Sequence, residues 1–97
     1  MIRVAFELAA RADVRAALAH YEALSPELAA RFAKDLDDAV RLIQSLPQGL
    51  PPAGAGLRRC RLRGFPYTVI YRTAFDPLRV LGVMHDRQSP ARWQGRL

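Results

Sequence analysis

Leu28, Phe32, Leu36, Val40 and Ile43 recur every three or four residues, a spacing that predicts an amphipathic helix with one buried stripe. Ser25-Pro26-Glu27 opens it: Ser can cap free amides, Pro is tolerated at the first helical position, and Glu suits the positive end of the helix dipole. Pro47 closes it. Upstream, an Ala-rich segment from Ala9 places Val14, Ala17, Leu18, Tyr21 and Leu24 on one helical face. Two helices joined with almost no loop form an antiparallel hairpin. Arg31 with Asp35 and Asp37 with Arg41 are spaced to pair on its outer face, at only about 0.3 kcal/mol each.

Elsewhere the period shortens to two. Ile2 to Phe6 reads as a short first strand, and Leu57 to Arg63 alternates Arg58, Cys60 and Leu62 on one side with Leu57, Arg59, Arg61 and Arg63 on the other. Gly64 turns the chain into Phe65-Pro66-Tyr67-Thr68-Val69-Ile70-Tyr71-Arg72, and Val80-Leu81-Gly82-Val83-Met84-His85 follows after a turn containing Asp76-Pro77. Both of these strands are apolar on both faces, which predicts a central position in a sheet covered on two sides. Leu46 to Gly56, with three prolines and three glycines, reads as an irregular connection. Ser89-Pro90 is a second helix-start signal, expected to return Trp93 to the sheet in a short C-terminal helix. The expected fold is α+β, in the order β-α-α-β-β-β. An antiparallel sheet packs on a two-helix hairpin, with one domain spanning residues 1–97.

Charge changes this picture. Residues 1–56 carry six basic and seven acidic side chains, a balance of −1, whereas residues 57–97 carry nine arginines against Asp76 and Asp86, a balance of +7. Fourteen of the fifteen basic residues are Arg, whose planar fork suits phosphate and carboxylate. Arginines repeated on one side of a strand are tolerable where that side meets water or an anionic partner. A lone Cys60 forms no intrachain disulfide and reads as a small buried hydrophobe, which suits a reducing, cytoplasmic setting. The chain has no apolar run of membrane-spanning length and no signal-peptide layout at Met1-Ile2-Arg3-Val4, so a membrane is not an expected partner. There is no glycine-rich phosphate loop, and His20 and His85 lie 65 positions apart without ligand-spaced neighbours, so no cofactor or metal is expected. His20 reads as a surface residue.

The run Gly64-Phe65-Pro66-Tyr67-x-x-x-Tyr71-Arg72 resembles the RelE/ParE family of toxins from bacterial type II toxin–antitoxin modules. So does Val83-Met84-His85-Asp86-Arg87-Gln88-Ser89-Pro90-x-x-Trp93-x-x-Arg96, and with Phe32 and the paired helices the likeness covers nearly the whole chain. RelE-like members are described as ribosome-dependent ribonucleases that cut messenger RNA, and ParE-like members as poisons of DNA gyrase. RelE-like nucleases place an Arg directly after the aromatic residue of the central strand; here Thr68 follows Tyr67. A nuclease would draw on His85 as base, Tyr71 as acid, and Arg61 or Arg87, with Arg59, as phosphate clamps.

The Phe-Pro-Tyr pattern and the His-x-Arg tail are closer to ParE. The leading expectation is therefore a toxin that binds gyrase without performing chemistry, with an RNA-cutting enzyme or a basic nucleic-acid-binding module as alternatives. Contacts to target or antitoxin are expected from Arg59, Arg61, Arg63, Arg72, Arg87, Arg92, Trp93 and Arg96. The resemblance also implies a cognate antitoxin; charge complementarity suggests an acidic amphipathic segment laid over the basic rim and the apolar groove beside the helices.

Overall fold

A computed structural model of the chain describes residues 2–88, 95 and 96. The order is β1 (Val4–Phe6), α1 (Leu8–Leu24), α2 (Pro26–Ser45), β2 (Pro52–Gly54), β3 (Leu57–Arg61), β4 (Tyr67–Arg72) and β5 (Leu78–His85). The expected α+β architecture is present, with the two-helix hairpin on one face of a sheet ordered β1-β5-β4-β3-β2. Two features depart from the pattern reading. The irregular connection contains the three-residue edge strand β2, and β1 runs parallel to β5 while the remaining pairs are antiparallel. Parallel pairing is open to β1 because the whole helical hairpin and three strands separate it from β5. The C-terminal helix expected from Ser89-Pro90 lies outside the described residues.

Ser25 performs the capping its position implied. Its Oγ accepts the Leu28 amide at 3.3 Å and donates to a Glu27 carboxylate oxygen at 2.8 Å, and that hydroxyl holds the Glu27 carboxyl below its ordinary range. Burial along α2 falls on Ala29, Phe32, Ala39 and Ile43, with Leu36 packed at the margin; in α1 it falls on Ala10 and Ala17. Leu24 points outward, 64 % exposed, because α1 ends beside it. Asp35 does not serve Arg31 on the outer face. It accepts the backbone amides of Arg63 and Gly64 at 3.3 and 2.8 Å, clamping the β3–β4 turn onto α2, while Lys34 and Asp38 form an ion pair along the exposed side of the helix.

Between helices and sheet lies an aromatic cluster. The Phe32 ring, fully buried, meets Tyr67 at 5.1 Å and both Tyr21 and Phe65 at 5.5 Å, in stacked and edge-on arrangements that favour aromatic pairs. Cys60 is buried on this side, its thiol pushed up by burial and then by the Asp35 carboxylate. The opposite face of the sheet also carries apolar side chains, as expected for central strands: Leu57, Ile70, Leu81 and Met84 form a second buried cluster with Ala53 packed on it. Leu81 reaches that face through a bulge. Ile70 pairs with Gly82 and Tyr71 with Val80, so Leu81 has no partner and both Val80 and Val83 turn toward the helices.

Candidate functional site

The register places the basic residues. Antiparallel partners share a face, so Arg61–Thr68–Met84, Arg59–Ile70–Gly82 and Leu57–Arg72–Arg79 form three cross-strand rows on the face opposite the helical hairpin. Arg59, Arg61, Arg72 and Arg79 therefore surround the second apolar cluster. Arg79 was not singled out from the sequence, because a lone charge between Leu78 and Val80 looks incidental in a strand read as buried on both sides. Arg58 belongs to the other face and is tied to the Leu50 carbonyl at 2.7 Å.

At one end of this face, Arg59, Thr68, Ile70, Met84, His85 and Asp86 line an open cavity of about 370 Å³. Arg59 donates to the Pro52 carbonyl at 2.9 Å, and Arg61 pairs with Asp86 at 2.6 Å, so both guanidinium groups are held in position while remaining exposed. Arg63 and Arg87 stand in the exposed turns that follow β3 and β5. Arg92 and Trp93 lie outside the described residues.

His85 is built into its surroundings. Its Nδ1 accepts the Arg87 amide at 3.0 Å, its own amide donates to the Gln88 side chain at 2.8 Å, and its ring meets Tyr67 edge-on at 5.1 Å. The nuclease grouping is only partly assembled: Arg61, Arg87 and His85 are near neighbours, whereas Tyr71 is not. Tyr71 lies four residues along β4 from the partner of His85, roughly 13 Å away at about 3.3 Å per residue. It is fully buried on the helix side and donates its hydroxyl to the Pro47 carbonyl at 3.0 Å.

Burial raises the Tyr71 and Tyr67 hydroxyls above the ordinary value of 10.0. An acid whose folded-state pKa is raised contributes stability below its unfolded value and loses that contribution as pH rises through the folded one. Unfolding free energy should therefore begin to decline above about pH 10, a decline that Tyr71→Phe reduces. Urea titrations at pH 8 to 11 measure it, and a pH-independent midpoint over that range would count against a buried Tyr71.

The other end of the face is arranged around Asp13. β1 pairs with β5 only as far as Val80, and beyond it Asp13 Oδ2 accepts the Val83 amide at 2.9 Å. The same carboxylate binds Arg96 through both oxygens, at 2.7 and 3.1 Å, and Arg96 also donates to the Leu81 carbonyl at 3.0 Å. Arg96, expected as a contact residue, is instead occupied and only partly exposed, and the bond to Asp13 raises its pKa further. Gly82 makes room: a Cβ there would lie 2.8 Å from Arg96 Nη1 and 2.7 Å from the end of Met84.

A two-helix hairpin on a mixed sheet, with arginines on the face opposite the hairpin, defines a small basic α+β protein. Residues 4–90 match the family described as the ParE toxin of type II toxin-antitoxin system, parDE. The chain belongs to that toxin family. Among solved structures it is similar to one described as the chromosomal ParDE TA system from P. aeruginosa, at 25 % identity and a TM-score of 0.68, covering 88 % of this chain and 96 % of that one. No curated protein matches the chain. No helix among the described residues is long and apolar enough to cross a membrane.

Proposed function

We propose that the protein arrests growth by binding DNA gyrase through the Arg59–Arg61 end of the sheet face opposite the helical hairpin, and that a cognate antitoxin neutralises it. The observation that supports this most is the row Arg61–Thr68–Met84 beside Arg59. Guanidinium groups held by Pro52 and Asp86 stand exposed beside an open cavity, an arrangement suited to docking on a macromolecule. At its centre Thr68 stands where the RNA-cutting relatives carry a fixed cation. His85 meanwhile spends its Nδ1 on the Arg87 amide.

The antitoxin fits elsewhere. Val4, Phe6, Val14 and Leu36, with Arg11 and Arg15 at the margin, line an open groove of about 650 Å³ between β1 and the helices. An acidic amphipathic segment would bury its apolar side there and meet the arginines at the edge.

Expression without antitoxin should stop growth with cleaved or relaxed DNA and intact messages. His85→Ala should leave that arrest unchanged. Messages cut at codon positions on ribosomes, with the cuts lost in His85→Ala, would replace the gyrase assignment with RNA cleavage.

A further inference from the structure

We propose that the neutralising partner inserts a large apolar side chain, flanked by carboxylates, into a second pocket at the N-terminal end of α1. This rests on the antitoxin assignment above and adds a subsite to it. The pocket encloses about 540 Å³ and is lined by Leu8, Arg72, Phe75, Arg79, Leu81 and Arg96, with Glu7 at its edge. Three features define its occupant.

The first is uncompensated charge. Arg72 and Arg79 are directly opposite on β4 and β5, an unfavourable like-charge pair that an anion between them would relieve. Glu7 offsets Arg79 only weakly, at 3.5 Å with both side chains nearly half exposed, and Asp13 is committed to Arg96. Among the described residues no carboxylate lies within ion-pair distance of Arg72. A carboxylate from outside the chain would meet two forks in bidentate geometry.

The second feature is apolar exposure at the mouth. Leu8 is 79 % exposed and Phe75 is 55 % exposed, among the largest apolar exposures in the chain. A phosphate backbone would leave both in water, whereas an aliphatic or aromatic side chain seated on Leu81 would cover them. That favours an acidic peptide over a nucleic acid.

The third is continuity. The groove assigned to the antitoxin ends at Phe6, and the pocket begins at Glu7 and Leu8. A peptide leaving the groove at Phe6 would have only the β1–α1 junction to cross before it met the pocket.

The test uses the purified toxin and the product of the adjacent gene, with affinity measured by calorimetry and gyrase inhibition measured in parallel. Arg72→Glu combined with Phe75→Ser should weaken antitoxin binding at least thirtyfold, leave thermal unfolding within a few degrees of wild type, and leave gyrase inhibition intact. Arg72→Lys with Phe75→Leu should recover most of the affinity. Antitoxin binding within twofold of wild type in the Glu/Ser variant would overturn the subsite while leaving the antitoxin assignment standing. Loss of gyrase inhibition with unchanged antitoxin binding would assign the pocket to the target and overturn the proposal. Failure of the wild-type pair to associate would remove the antitoxin assignment itself, and the subsite with it.

Discussion

Phe32→Ala should destabilise the protein by about 3–5 kcal/mol, the range for truncating a fully buried aromatic ring. Three aromatic partners, Tyr21, Phe65 and Tyr67, would lose their common neighbour, and they belong to three different parts of the chain: α1, the β3–β4 turn and β4. A cavity there cannot close by moving one element alone. Against a typical total of about 5–15 kcal/mol, the loss would leave a substantial unfolded population in cells. Toxicity should fall because folded protein is lost, without any change in the docking face. Urea denaturation of the purified variant measures this directly, and a shift worth less than about 1 kcal/mol would mean that the hairpin is not held to the sheet through this ring.

Asp13→Ala should cost about 2–3 kcal/mol, because it strands two groups at once: the Val83 amide, which has no strand neighbour on that side, and the Arg96 guanidinium. The figure lies below that for a fully buried pair because both side chains retain some exposure, 13 % and 21 %. Asp13→Asn keeps an oxygen for Val83 and loses the charge, so it should cost about half as much. Hydrogen exchange at the Val83 amide separates the contributions. Fast exchange is expected in the Ala variant and near-normal protection in the Asn variant; equal protection in both would show that the carboxylate does not close this edge.

Most of the fold is legible along the chain because its signals are local. The α2 stripe, the Ser25 cap and the two-faced apolar strands each follow from neighbours in sequence, and the family resemblance follows from the motifs they hold. What escaped the pattern depends on distant contacts. Asp35 looked like half of a helix-surface pair until the turn at Gly64 came within its reach. Asp13 gave no sign in an Ala-rich helix, since its role exists only where β1 stops short of Val83. Tyr71 carries a group that could act as an acid, but the pleat sends it to the core. Leu81 is a spacing problem: one bulge reversed the side on which every later residue of β5 stands. Of the predicted contact residues, Arg59 and Arg61 share a face as the alternation implied. Arg96 is diverted to Asp13, a partner 83 positions away that no spacing rule could find.

Relaxed plasmid, purified gyrase and ATP, with the protein added at increasing concentration, measure the central claim most directly. Wild-type protein should block supercoiling or trap cleaved DNA on the enzyme, Arg59→Ala with Arg61→Ala should need at least tenfold more protein, and His85→Ala should match wild type. Full supercoiling in the presence of excess wild-type protein would contradict docking on gyrase, and inhibition untouched by the double arginine variant would contradict the face assigned to it.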